Sequence, residues 1–419
     1  RLRGRIADGY RGNTVGVIIR NVKIAVIGSG ILGLSVAKKL GEKGHVVVVF
    51  EAGPALGGLA GSFGKTTWRW KLEKYYHHIF TGDRAIREGF KFSQPRTDSY
   101  VGGKIQQLDS PISVLKFNQI RIFSRVRMGF GLLILKLIPN GVFLERFGVE
   151  KCLPLIVGKE AYEKIWERLL AAKFGKYVGE VNLAWFWARI AKRTKSLGYF
   201  DGGFDAYTKK LAEEVKNGGG KILFNKRIQN VEKLGKEFDK VIVTTPMPVA
   251  EKITGRKLID KKIDYLWGQT LVVETKQSLM SSYWLNILEK DWPFLVMVEH
   301  TNFVDKKNYG GNHLLYFGNY LEERDGRLKM TKEELLDKFL PFIKKINKDF
   351  DRKQIVETWK FQDPYAQPVF PKNYSKHIPA FEVESGLFVA NMSMVYPYDR
   401  GTNYAVELGL SVARAVDVK

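Results

Sequence analysis

Three groups of residues in this sequence have types and spacings that could do chemistry. The first is Gly28-x-Gly30-x-x-Gly33, followed by the carboxylate of Glu51. Glycines at that spacing let the chain turn tightly, let a pyrophosphate approach the backbone, and let a helix pack closely on a strand. Glu51 can accept both hydroxyls of a ribose and disfavours a 2′-phosphate, so NADP is the least fitting dinucleotide. The second group is Lys74-Tyr75-Tyr76-His77-His78-Ile79-Phe80, whose paired imidazoles could position a substrate or carry a proton near neutral pH. The third is Tyr396-Pro397-Tyr398-Asp399-Arg400-Gly401-Thr402-Asn403-Tyr404, rich in rings and carrying one guanidinium. The alternative for its tyrosines is core packing, and for either histidine the filling of a buried polar gap.

The elements that must position these groups fall into three separated α/β pieces. In the first, a buried strand (Lys23 to Ile27), the glycine turn, a helix (Leu32 to Glu42) and a second strand (His45 to Phe50) make a βαβ start. The helix N-terminus, at Ile31 and Leu32, offers free N–H groups to phosphates. A second glycine loop, Glu51-Ala52-Gly53-Pro54-Ala55-Leu56-Gly57-Gly58-Leu59-Ala60-Gly61-Ser62, can bring further amides to the pyrophosphate and leave an extended path toward a ring system, the alternative being a flexible loop. A plain nicotinamide fold does not need that loop, which favours FAD over NAD.

In the second piece, Asp201-Gly202-Gly203 leads into an amphipathic helix with Tyr207, Leu211 and Val215 on one face. Past Gly218-Gly219-Gly220, strands are expected at Lys221 to Phe224, Arg227 to Glu232 and Lys240 to Thr244. The third piece is a strand from Gly386 to Ala390 and a helix from about Thr402 to Ala415. Between the pieces, Ile79 to Leu197 reads as helical. Lys257 to Glu382 reads as strands (Thr270 to Glu274, Leu295 to His300, His313 to Tyr320) and then a helix opening with the capping box Thr331-x-x-Glu334.

Composition narrows the classes. The 419 residues are 45% hydrophobic with ordinary Gly and Pro, and no uncharged apolar run approaches the roughly 18 residues of a membrane span. Fibrous, repeat and polytopic membrane architectures are therefore excluded. The single cysteine, Cys152, allows neither an internal disulfide nor a Cys-x-x-Cys redox pair, which fits a reducing cytoplasm and assigns electron chemistry to a bound cofactor. No Cys/His grouping has the spacing of a zinc site, so no metal is expected. The net charge of +24 invites a nucleic acid or an anionic membrane, but no recognition motif accompanies it, and most Lys lie beside acids in helical stretches such as Lys209-Lys210-Leu211-Ala212-Glu213-Glu214, which read as a solvated face; an anionic substrate or a membrane surface stays open. Residues 1–21 carry Arg but no Lys and read as a leader outside the folded domains, with the true start near Val22.

The run from Lys23 to Ser62 resembles the FAD-binding start of the flavin amine oxidase, protoporphyrinogen oxidase and phytoene desaturase superfamily. Gly198-Tyr-Phe-Asp-Gly-Gly-Phe-Asp205 with Asp239-Lys-Val-Ile-Val-Thr-Thr-Pro246 resembles its middle FAD segment, which implies that the Ile228 backbone holds the adenine. Gly386-Leu-Phe-Val-Ala-Asn391 through Gly401-Thr402-Asn403-Tyr404-Ala405 resembles its closing segment, where the last helix points its N-terminus at the flavin and stabilises the anionic reduced form.

Several positions depart from the family pattern. Ala390-Asn391 stands where an acid is usual, which implies a neutral contact to the ribityl chain and pyrophosphate. Leu59 replaces a common Arg, and Cys152 is far from the closing segment, so a cysteinyl flavin is not implied. The stretch from Asp83 to Phe92 looks too short for the helix of relatives. His77-His78-Ile79-Phe80-Thr81 also resembles the His-Ile-Phe-His-Thr string of UDP-galactopyranose mutases, with Thr81 where the second His stands.

The expected fold class is thus α/β, with a discontinuous Rossmann-like FAD domain of the two-dinucleotide-binding type (22–78, 198–256, 383–419). A composite α+β substrate domain (79–197, 257–382) lies over it. The expected activity is oxidation or desaturation of a small-molecule or lipid-like organic substrate by hydride transfer to flavin N5. The alternative is a mutase-like isomerisation of a sugar nucleotide by reduced flavin. His77, His78, Tyr396 and Tyr398 are the catalytic candidates, with Asp363-Pro364-Tyr365-Ala366-Gln367-Pro368 as a second wall of the pocket or merely a proline-fixed loop. The basic, apolar run from Phe117 to Pro139 reads either as buried helices or as a contact with an anionic membrane, so a cytoplasmic protein with peripheral membrane contact is one expectation.

Overall fold

A computed structural model describes residues 21–86, 92–398 and 401–417. The leader expected at 1–21 therefore falls outside the described residues except for Asn21, and so do Asp399, Arg400 and half of the short stretch after Asp83. The chain is a mixed α/β structure built on two large sheets.

The first sheet has the order Lys221–Leu223, Val46–Phe50, Lys23–Ile27, Lys240–Val243, Leu387–Val389, Glu382–Glu384. Its first five strands run parallel and the last is antiparallel. A parallel sheet must be covered on both faces. Ile24 and Val26 face the helices Ile31–Gly41, Gly203–Asn217 and Thr402–Asp417, while Ala25 and Ile27 face Val231, Phe238 and the helix Met247–Thr254. The central strand Lys23–Ile27 lies where the strand order reverses, and a crevice at such a point is where parallel sheets take ligands.

The second sheet has the order Ile355–Val369, Asp264–Thr275, His313–Leu321, Val296–Glu299, Trp284–Ile287, Thr97–Val101, Lys104–Gln107. Alternation along it separates two cores. Leu271, Val273, Leu315 and Phe317 pack on the helix Lys332–Ile346, while Val272, Leu314 and Tyr316 pack toward the first sheet. A third, helical core gathers Met128, Leu135, Ile165, Phe174, Trp185 and Trp187.

Three readings of the sequence are corrected. Residues 79–197 are not helical throughout, because Thr97–Val101 and Lys104–Gln107 form a hairpin that extends the second sheet. Gly102 and Gly103, at φ +58° and +73°, make the tight turn. Residues 227–232 form no strand. Asn225 turns left-handed at φ 54°, the Lys226 N–H donates to the Glu51 carbonyl, and the Val231 N–H donates to that of Ile253. Residues 363–368 are part of the strand Ile355–Val369 rather than a loop; Pro364 falls in its irregular register opposite Leu266 to Gly268, whereas Pro368 pairs in register with Tyr265, and Ala366 lines the cavity described below.

Close approach fixes the first glycine turn. A Cβ on Gly33 would lie 2.0 Å from the Gly28 carbonyl oxygen, and Gly28 itself has φ +106°. A Cβ on Gly30 would meet nothing within 4 Å. Gly33 is thus required by helix packing, and Gly30 only by what must approach from outside.

A buried carboxylate ties the pieces together. Glu73 is fully buried; its Oε2 accepts from the Tyr199 hydroxyl at 2.6 Å and its Oε1 from the Phe204 N–H at 2.8 Å. The Tyr316 hydroxyl donates to the Glu73 carbonyl at 2.6 Å. Phe204 lies in the first turn of the helix Gly203–Asn217, where a carboxylate meets unpaired N–H groups and the positive end of the helix dipole. Removal from water outweighs these bonds and pushes the Glu73 pKa up to about 7.

Two outcomes are expected. Gly33→Val should fail to yield stably folded protein, whereas Gly30→Ala should melt with wild type yet bind a dinucleotide at least about tenfold more weakly. Thermal melting of the cofactor-free proteins and a binding titration read both. For Glu73, the folded-state pKa exceeds the unfolded value, so its contribution is present below about pH 4.5 and is lost as pH rises through about 7. The stability of Glu73→Gln relative to wild type should therefore increase between about pH 5 and 8, by up to about 1.4 kcal/mol per pH unit. Parallel curves from thermal melts would contradict this.

Candidate functional site

At the C-terminal end of the central strand the two glycine loops are locked together. The Gly57 N–H donates to the Ser29 carbonyl at 3.0 Å, and Gly30 and Gly57 form an isolated parallel bridge. The first intrahelical bond runs from the Leu34 N–H to the Gly30 carbonyl, so the N–H groups of Ile31, Leu32 and Gly33 precede the helical ladder. With open space beside Gly30, this is the anion cradle that a pyrophosphate needs.

Glu51 is preset by its neighbours. Its Oε2 accepts from the Ser29 N–H at 2.9 Å and the Ser29 hydroxyl at 2.7 Å, and its Oε1 from the Gly53 N–H at 2.8 Å. Three of about four acceptor sites are thereby used, leaving Oε1 able to take a ribose hydroxyl. Ala52 is exposed beside it. Ile228 lies in the irregular run after Asn225, outside any ladder, so its backbone has no strand partner to compete with an adenine. These residues fit an adenine dinucleotide.

From there the path leads past Leu59 into a cavity of about 240 Å³. Four walls meet. One is Tyr75 to His78 with Leu59, and another is Tyr398 with Gly401, Thr402, Asn403 and Tyr404 at the start of the last helix. The third is the helix Leu183–Lys192, which contributes Ala188, Arg189 and Lys192, followed by Arg193. The fourth is the second sheet, with Gly268, Thr270, Trp284, Asn319, Tyr320 and Ala366. Gly268 matters here, because a Cβ on it would lie 2.7 Å from that of Ala366 and 3.6 Å from the Tyr75 ring. A larger depression of about 600 Å³ shares Asn319 and Tyr320 with this cavity.

The histidines differ in role. The Nδ1 of His77 lies 2.6 Å from the Tyr75 carbonyl and donates to it, which fixes its tautomer. The Nδ1 of His78 is 3.2 Å from the Tyr283 hydroxyl, and its ring meets those of Phe80 and Trp284 edge-on. Desolvation, then the Arg193 and His77 charges, hold the His78 imidazole well below its usual pKa, so it stays neutral at physiological pH. Tyr398 stacks flat on Tyr404 at 5.0 Å, with the Lys192 ammonium 5.1 Å from its ring centre.

Of the residues singled out in the sequence, His77, His78, Leu59, Tyr398, Gly401, Thr402, Asn403 and Tyr404 converge on this cavity. Tyr396 does not. It is buried against Phe370 and Tyr374 in the helical core and donates to the Asn182 Oδ1 at 3.1 Å. Asn391 is buried, and its Oδ1 accepts from the Ser393 N–H and hydroxyl in its own turn. Asn403 is likewise engaged, accepting from the Ala85 N–H at 2.8 Å and donating to Glu407 at 2.9 Å. Arg400 lies outside the described residues.

Sequence reasoning missed the cations. Lys173, Arg189, Lys192 and Arg193 line the cavity against one carboxylate, Asp83, which accepts from the Phe80 N–H. Lys173 comes from the helix Glu167–Phe174, while Arg189, Lys192 and Arg193 have the spacing of one helix face, but cations in a last helical turn are so ordinary that the pattern gave no signal. Among the described residues, no three His, Cys, Asp or Glu side chains are grouped to hold a metal ion.

Comparison with known proteins places the chain in a family. The model of the flavin containing amine oxidoreductase family matches residues 33–417. No curated protein sequence matches the chain. Among solved structures, a putative protoporphyrinogen oxidase from Exiguobacterium sp. 255-15 superposes with a TM-score of 0.72 at 12% identity, covering 95% of this chain and 99% of that one. Reduced UDP-galactopyranose mutase gives 0.73 at 16% identity, covering 94% and 95%. Cyclohexylamine oxidase from Brevibacterium oxydans IH-35A gives 0.69 at 14% identity, covering 95% and 99%. At such identities these likenesses establish the fold alone. The family match spans almost the whole chain, which therefore belongs to the flavin-containing amine oxidoreductase family and is an FAD-dependent oxidoreductase.

Proposed function

We propose that this enzyme removes hydride from a small organic substrate that carries an anionic group, with FAD held across the crevice of a two-dinucleotide-binding-type domain formed by 22–78, 198–256 and 383–419. The segments 79–197 and 257–382 form the substrate domain. Bound FAD supplies the chemistry by accepting hydride at N5 from a substrate C–H or N–H bond. The observation that carries the reading is the convergence of a helix N-terminus, two histidines, stacked tyrosines and a row of cations on one cavity.

Each wall has a task. The first turn of Thr402–Asp417 sets partial positive charge toward the cavity, where it would favour negative charge on a reduced ring. Tyr75, Tyr76, Trp284 and Tyr398 exclude water and sandwich the substrate body. Gly268 and Ala366 keep the floor clear. Arg189, Lys192 and Arg193 bind the anionic end and so orient the reacting bond. His78, neutral and tied to Tyr283, offers its other ring nitrogen as a hydrogen-bond partner rather than as a charge.

The same cations are what favours a second reading, a mutase-like isomerisation in which a sugar nucleotide diphosphate occupies the cation row. Loss of flavin colour on adding substrate marks the first reading, and turnover that requires pre-reduced protein marks the second. With a substrate found by anaerobic bleaching, the double variant Arg189→Gln/Lys192→Gln is expected to raise KM about tenfold to a hundredfold with flavin content unchanged. An unchanged KM would remove the anion from the proposal.

A further inference from the structure

The helix Ile122–Leu137 is apolar on the wrong side for a surface helix. Its inner face is conventional, with Met128, Gly131 and Leu135 buried against the helical core. Its outer face carries Phe123 (85% exposed), Phe130 (64%) and Leu137 (71%), with Val126, Leu133 and Ile134 between them in the same stripe. Apolar residues opposite the buried face have nothing to pack on among the described residues. Nearby Ile112 and Leu155 are 67% and 73% exposed. Of the 18 large hydrophobic residues exposed among the described residues, 12 fall between Ile112 and Leu155. Monomeric proteins rarely leave so contiguous an apolar surface uncovered.

Charge says what covers it. Residues 110–157 contain seven Lys or Arg and two Glu. Glu145 is turned inward, accepting from the Ser375 N–H and hydroxyl, so Glu150 is the one exposed acid. Glu160, just beyond, accepts from the Arg121 N–H and the Ser124 hydroxyl at the start of the helix. The guanidinium groups of Arg125, Arg127 and Arg146 donate to main-chain carbonyls along the patch rather than to acids. A symmetric dimer through this face would set one copy's cations against the other's, at a cost. No helix of the described residues is long and apolar enough to cross a membrane. A flat apolar stripe of about 24 Å, bordered by cations, has the form of an interfacial helix.

We propose that residues 110–157 form a docking surface for an anionic lipid bilayer, with Ile122–Leu137 lying in the plane of the headgroups and the surrounding Lys and Arg on lipid phosphates. The helix Leu183–Lys192, whose cations line the cavity, packs directly beneath it in the same core, so docking places the cavity one helix away from the lipid.

The test is flotation of the full chain with phosphatidylcholine vesicles containing roughly a third phosphatidylglycerol, and with phosphatidylcholine alone, at low salt. The expected result is binding to the anionic vesicles, weaker binding to the neutral ones, and at least about tenfold loss in Phe123→Ser/Phe130→Ser. Val356→Ser, on an exposed hydrophobic residue of the second sheet, is the control and should bind as wild type. Melting temperature and flavin content, matched to wild type, confirm that the variants are folded. Absence of flotation, equal flotation of the double variant, equal binding to both vesicle types, or self-association abolished by the double variant without lipid binding would each overturn the proposal. Binding is read without turnover, so the result does not depend on the substrate.

Discussion

The arrangement depends on one buried carboxylate. Glu73 joins residues that are far apart in sequence: its side chain takes the Tyr199 hydroxyl and the first turn of the helix Gly203–Asn217, and its carbonyl takes the Tyr316 hydroxyl from the second sheet. A carboxylate out of water is costly unless its acceptor sites are filled. Filling them here draws the segment after Glu73 between the two sheets. Tyr75, Tyr76, His77 and His78 follow immediately, so the node that closes the fold also presents one wall of the cavity. Gly318 accommodates this passage, since a Cβ on it would lie 2.6 Å from the Tyr76 ring.

The two ends of the crevice use different physics. In the proposed site, recognition at the nucleotide end would rest on backbone, with glycines leaving room for the phosphates beside free helix N–H groups, and the Glu51 carboxylate is oriented by Ser29 and Gly53. At the cavity it would rest on side chains from four elements, where the row of cations is set against rings. The cradle must keep its geometry, and the cavity is free to change.

The glycine turn and its strand–helix–strand frame were legible because glycine spacing carries a mechanism in a local window. Lys23–Ile27, Val46–Phe50 and Thr402–Asp417 match their expected strands and helix closely for the same reason, strong periodicity with clear breaks. Less of the cavity was readable. His77 and His78 were an unusual string, but Arg189 and Lys192 sit on an ordinary amphipathic helix, and only tertiary packing sets them beside the cavity. Tyr396 illustrates the converse, a ring near the right segment that packing sends to the helical core. The hairpin at Gly102-Gly103 had a local signal, a two-residue glycine turn, which was obscured by the polar residues of Thr97–Val101. The hydrophobic run from Phe117 to Pro139 shows the limit of composition: it contains both a buried face and an exposed one, and the sequence alone did not separate them.

The central claim is that the backbone cradle delivers the flavin ring to the cation-lined aromatic cavity. The visible absorbance of the FAD-loaded protein during titration with benzoate, an aromatic carboxylate, tests it most directly. The account predicts uptake of one FAD per chain and a saturable perturbation of the flavin band that weakens with salt. A protein that cannot be loaded with FAD, or a flavin band that benzoate leaves unmoved, would contradict it.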